Sequence, residues 1–87
     1  MMVGMKIVLV KYQDPTTYSS WMPTELVSHT KPKLGFVCGY LFEENEDTIK
    51  VALMCSEDRD TWAEHIVIPQ GCVVSVDVIK EVDWDEG

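Results

Sequence analysis

A chain of 87 residues with a formal charge of −8 is too short for more than one domain, and at 46% apolar residues it is too hydrophobic to stay disordered. Its seven Lys and Arg residues are scattered, with Lys31 and Lys33 the only close pair, which argues against sequence-independent binding to nucleic-acid phosphates. A domain this small buries only about 60–65% of its unfolded surface, so oligomerisation is expected to support it.

In chain order, the segment KIVLVKY (6–12) is short and β-branched and predicts a first strand. The apolar core of MMVGMKIVLVKY is too short for a secretory leader, and Met1, Met2 and Met5 are all candidate starts. A turn-rich connection follows, with Asp14-Pro15 as a turn starter. In WMPTELVSHTKP (21–32), Pro23 in a first-turn position permits one or two helical turns ending before Pro32. LGFVCGYLF (34–42) predicts a second strand. Leu34, Phe36, Cys38, Tyr40 and Phe42 fall on one face; Gly35, Val37, Gly39 and Leu41 fall on the other. Both faces are apolar, so both are expected to be covered. Glycines inside a strand mark a bend, a bulge or a close approach by another backbone or a ligand.

The acidic turn EENED (43–47) leads into TIKVALMC (48–55), where Ile49, Val51, Leu53 and Cys55 read as inward and Lys50 as outward. A polar loop spans 56–63. EHIVIP (64–69) predicts a fourth strand closed by Pro69, and CVVSVDVI (72–79) a fifth after a tight link. The expected fold is mainly β: a small five-stranded, partly closed barrel of SH3-like or Sm-like type, with at most one short helix in the first long loop. Closure would remove exposed sheet edges. The IPQGC link resembles the 3₁₀ turn between the last two strands of such barrels. The chain reads as one domain over 1–87, with an ordered core at about 5–80 and an acidic tail at 81–87.

Trp21 to Leu26, VCGYLFEENEDTIKVAL (37–53) and IVIPQGCVVSV (66–76) together resemble a group of small phage and prophage proteins. In that group a Gly-Trp-Leu-like strand runs into an acidic turn, and an Ile-Pro segment comes before the end. Tyr40 stands here where that group has Trp, and Tyr12-Gln13-Asp14 stands near its Trp-x-Asp. The resemblance implies a phage gene expressed in the cytoplasm of a bacterial host, and it implies no catalytic residue.

Cys38, Cys55 and Cys72 lie in apolar runs without a CxxC, which predicts buried free thiols and no metal site. No run approaches the roughly 20 apolar residues that cross a bilayer. His29 and His65 lack any local nucleophile signature, and Asp77 is the one acid set between strand valines. No enzyme and no cofactor are expected. Binding fits better. Tyr18, Trp21 and Trp62 sit in polar connections, where flat aromatic faces stack on bases or anchor interfaces. Alternatively, Trp21 and Trp62 plug the open ends of the barrel. With Arg59 and Thr61, the aromatics Tyr18, Trp21 and Trp62 form the expected ligand site. It would lie between subunits of a homo-oligomer and take a small nucleotide, a role suited to sequestering a signalling molecule of host defence. The alternative is an acidic inhibitor of a host protein, using Glu43, Glu44, Glu46, Asp47, Asp58 and Asp60, or a virion accessory protein.

Overall fold

The computed structural model describes residues 4–83. The first three residues, among them the starts at Met1 and Met2, and the end of the acidic tail at 84–87 lie outside the described residues. Five antiparallel strands form one sheet: β1 (Gly4–Asp14), β2 (Lys33–Glu44), β3 (Thr48–Cys55), β4 (Trp62–Pro69) and β5 (Val73–Asp83). Their spatial order is β4-β3-β2-β1-β5. A single-turn helix α1 (Thr24–Val27) interrupts the long β1–β2 connection. A 3₁₀ turn, Gln70–Cys72, links β4 to β5 where Pro69 ends the strand. The fold is therefore mainly β and barrel-like, as the sequence predicts.

The sheet does not close. Among the described residues, β4 pairs only with β3 and β5 only with β1, so both edges stay open. The expected loss of edges does not occur. The chain is also extended: its radius of gyration is 17.1 Å, where a compact chain of this length has roughly 12 Å.

The main buried cluster lies on one face. Val8, Val10, Ile49, Val51 and Ile68 form a buried cluster, and Tyr12, Val37, Leu41, Ile66, Val73 and Val76 pack against it. Register explains the selection. Val10 stands opposite Val37 and Val76, Leu41 opposite Val51, and Val51 opposite Ile66, so one row of alternate residues from every strand meets. Each such burial contributes about 1.5–3 kcal/mol.

Gly39 lets two backbones meet closely. A Cβ there would lie 2.4 Å from the carbonyl oxygen of Ala52, so the β3 backbone approaches β2 more closely than any side chain allows. β2 pairs with β1 through Lys33–Tyr40 and takes up β3 only from Tyr40 onward, so its pairing passes from one neighbour to the other at this point. Gly35 makes room for the Tyr12 ring in a similar way.

Several sequence expectations change. The outer face of β2 is not covered: Leu34, Phe36 and Phe42 are 53%, 63% and 49% exposed. Leu53 is exposed rather than inward, because β2–β3 pairing ends at Ala52 and leaves the end of β3 without a neighbour on that side. The three cysteines are free, but Cys38 is exposed, and Cys55 and Cys72 are half-buried. β5 runs on to Asp83 instead of fraying after Ile79, since Gly4–Ile7 of β1 continue the ladder with Lys80–Asp83.

Candidate functional site

Antiparallel order places the β1–β2 loop and the β3–β4 loop at one end of the sheet, with the acidic turn and the 3₁₀ turn at the other. At the first end, Thr16 Oγ1 accepts from the Lys33 amide at 2.8 Å and donates to the Asp14 carbonyl at 3.0 Å. Tyr18 Oη donates to the Lys31 carbonyl at 2.9 Å. These bonds fold the long loop back on itself without a core of its own. They leave a groove of about 470 Å³ lined by Tyr18, Ser19, Ser20, Trp21, Met22, Val27 and Thr30. Trp21 is fully exposed at 103% of its reference area. It therefore plugs no barrel end.

The β3–β4 loop is a closed turn. The Ser56 amide donates to the Thr61 carbonyl at 2.9 Å, and the Thr61 amide donates back to Ser56 Oγ. The Arg59 amide donates to the Ser56 carbonyl, with Arg59 in the left-handed region at φ 65°. Asp58 accepts from the Ser56 hydroxyl and the Asp60 amide, which hold its carboxyl below the usual range. Thr61 and Arg59 thus stand in a hydrogen-bonded turn and do not line the Tyr18–Trp21 groove, while Trp62 lines a different groove.

Trp62 opens β4 and packs on the outer face of the sheet, not in a loop or a barrel end. Its ring meets Phe42 edge-on at 5.0 Å and Tyr40 at 6.3 Å. There it lines a second groove, of about 270 Å³, with Phe42, Lys50, Ala52, His65 and Val67.

Two local irregularities build this groove. In β2, Leu41 faces Val51 but Glu43 faces Lys50, so Phe42 is an extra residue. Such a bulge breaks strict alternation and re-aims side chains. In β4, alternation would put Trp62 on the side of Ile66 and Ile68. Glu64, at φ 55°, lies between them in the left-handed region and breaks that alternation. Trp62 instead joins His65 and Val67 in the groove.

At the rim, Lys50 Nζ donates to Glu43 Oε1 at 2.9 Å. That hydrogen bond and the charge of Lys50 hold the Glu43 carboxyl below its ordinary value. The other acids of the turn are arranged by Asn45, whose Oδ1 accepts from the Asp47 and Thr48 amides at 2.9 Å each. Gln70 Nε2 donates to the Asn45 carbonyl at 2.9 Å and reaches Glu44 at 3.5 Å. Glu43, Glu44, Glu46 and Asp47 are all exposed, as are Asp58 and Asp60 on the opposite end. The six acids therefore form two separate groups rather than one face.

His29, His65 and Asp77 are exposed. Among the described residues, no group of three or more His, Cys, Asp or Glu side chains is placed to hold a metal ion, and no helix is long and apolar enough to cross a membrane. No family model matches the sequence, and neither a curated protein nor a solved structure matches it.

Sequence reasoning missed Phe42, Lys50, Ala52, His65 and Val67 as neighbours of Trp62. The signal available was Tyr40 and Phe42 on one strand with Trp62 near the start of another. The bulge and the left-handed residue that assemble them leave no periodic trace.

Proposed function

We propose that this is a non-enzymatic binding protein that self-associates and captures a nucleotide-type signalling molecule, as a phage counter-defence protein acting in the cytoplasm of its bacterial host. The phage setting rests on the sequence resemblance alone. The observation that most supports the binding reading is Trp21. A whole indole stands in water beside a groove that offers a second aromatic, Tyr18, and the hydroxyls of Ser19, Ser20 and Thr30. Indole faces stack on bases, and hydroxyls bond ribose or phosphate oxygens. Capture needs affinity and copy number, not a reacting group. Self-association is supported by the two open sheet edges and by the apolar residues left exposed on the outer face.

A thermal-shift panel of mono-, di- and cyclic nucleotides tests the reading. A ligand present at a hundredfold its Kd adds about 2.7 kcal/mol, which raises Tm by roughly 10 °C or more in a chain of this size. Trp21→Ala is expected to reduce that rise. No shift with any nucleotide in the panel rules the reading out.

The inhibitor alternative finds less support. Its acids are split between two ends of the sheet. Glu43 is ion-paired with Lys50, and Asp58 is engaged within its own turn.

A further inference from the structure

We propose that the outer-face groove between Phe42 and Trp62 is a separate binding site for a single planar heteroaromatic ring system of the nucleobase class. It goes beyond the Tyr18–Trp21 reading and does not depend on it.

Three observations lead here. The first is construction. A bulge at Phe42 and a left-handed, non-glycine residue at Glu64 accompany the turning of two aromatic rings toward one spot. Left-handed backbone at a residue with a side chain is costly and persists where the surroundings enforce it, often beside functional sites. The inner core does not require either feature, since its residues, Val51, Ile66 and Ile68, pair in regular register.

The second is size and lining. At about 270 Å³ the groove falls just below the range of about 300–1,000 Å³ typical of drug-sized ligands. It holds one ring system and not a whole dinucleotide. Ala52, fully buried beneath it, keeps the base of the groove apolar and adds no bulk to it. The Phe42 and Trp62 planes meet at 76°, so a ring lying against one face meets the edge of the other, the arrangement aromatic quadrupoles favour.

The third is the rim. Lys50 and His65 bring N–H donors to an otherwise apolar lining, which suits the ring nitrogens and carbonyls of a base. Glu43 already engages the Lys50 ammonium, so the rim carries little net positive charge. With −8 on the chain, a phosphate adds nothing to the attraction. The recognised element is the uncharged ring. A free nucleoside and a base of single-stranded nucleic acid share that chemistry, and the chain's charge favours the nucleoside.

The test is an NMR titration of the full-length, isotope-labelled protein with adenosine. Saturable shifts are expected at the Trp62 indole N–H, the Ala52 amide and the Val67 methyls. AMP should bind within about threefold of adenosine, and an oligothymidylate no tighter than thymidine. Trp62→Ala should weaken adenosine binding at least tenfold. Val67→Lys, at an exposed position on the edge strand, should do the same without touching the core, and so covers the case in which the tryptophan variant fails to fold. Trp21→Ala should leave these shifts unchanged.

The proposal is overturned by absent or non-saturable shifts at these residues, or by shifts that survive Val67→Lys. Shifts centred on Tyr18 and Trp21 overturn it too and leave the loop groove as the site. So does tenfold tighter binding of AMP or of the oligonucleotide. If the same resonances move on simple dilution of the unliganded protein, a second copy fills the groove and the proposal fails. A nucleotide-induced rise in Tm that Trp21→Ala leaves intact, with a positive adenosine titration at Trp62, sinks the loop reading alone.

Discussion

Val37 and Leu41, on the inner face of β2, pack against the buried cluster, whereas Phe36 and Phe42 on its outer face stay 63% and 49% exposed. The two faces are equally apolar in sequence, yet only one is covered by the other strands. The inner face is closed by strands already in register: Val8, Val10, Ile49, Val51 and Ile68 come from β1, β3 and β4. Among the described residues no second layer covers the outer face, since they form one sheet and a helix of a single turn. The apolar residues inside therefore stabilise the fold, and those outside remain exposed.

Variants on the two faces should separate those roles. Ile49→Ala empties a fully buried position and is expected to cost about 2–5 kcal/mol in urea unfolding. A cost below about 1 kcal/mol would mean that the inner cluster is not the core. Gly39→Ala sets a methyl against the Ala52 carbonyl and should cost about 1–3 kcal/mol. Gly71→Ala, which meets nothing within 4 Å, is its control.

Phe36→Ser should change the stability of dilute protein by no more than about 0.5 kcal/mol, as exposed positions do, while lowering the mass found by light scattering at high concentration. Equal losses for Phe36→Ser and Ile49→Ala would erase the distinction between the faces.

The smallest effect concerns pH. Lys50 lowers the pKa of Glu43 in the folded chain, so the pair's contribution is present above the unfolded carboxyl pKa near 4.5 and is lost as pH falls through the lower folded value. Glu43→Gln should flatten the profile across that acid window, lowering stability slightly at neutral pH where the pair is intact and converging with the parent chain at more acid pH. A profile that coincides with that of the parent chain would show that the pair does not contribute.

The strands were legible because β-branched runs are bounded by glycine, proline or acidic turns. Asn45, Pro69 and Gly71 mark the breaks, and the IPQGC link does form the 3₁₀ turn. Strand ends were less legible. β5 extends through Lys80–Asp83 because β1 offers it a partner, and nothing local in that polar segment records a partner far along the chain. Side-chain direction was hardest where two faces are both apolar. Alternation sorted Ile49 and Val51 correctly and failed at Leu53, because coverage by β2 stops one residue earlier.

Tyr18 and Trp21 stand exposed and Arg59 sits in a turn, as the polar connections around them suggested. The separation of the expected ligand residues was not legible: Tyr18 and Trp21 line the loop groove, while Trp62 joins Phe42 across the sheet. A single bulge and one left-handed residue decide that outcome, and a pattern with period two carries no sign of either.

Native mass spectrometry of the gently purified protein tests most directly whether the uncovered face and open edges serve association and capture. One spectrum reports the number of chains and any small molecule retained. Particles of two or more 9.9 kDa chains are expected at micromolar concentration. A lone 9.9 kDa species across the whole concentration range, with nothing bound, would contradict it.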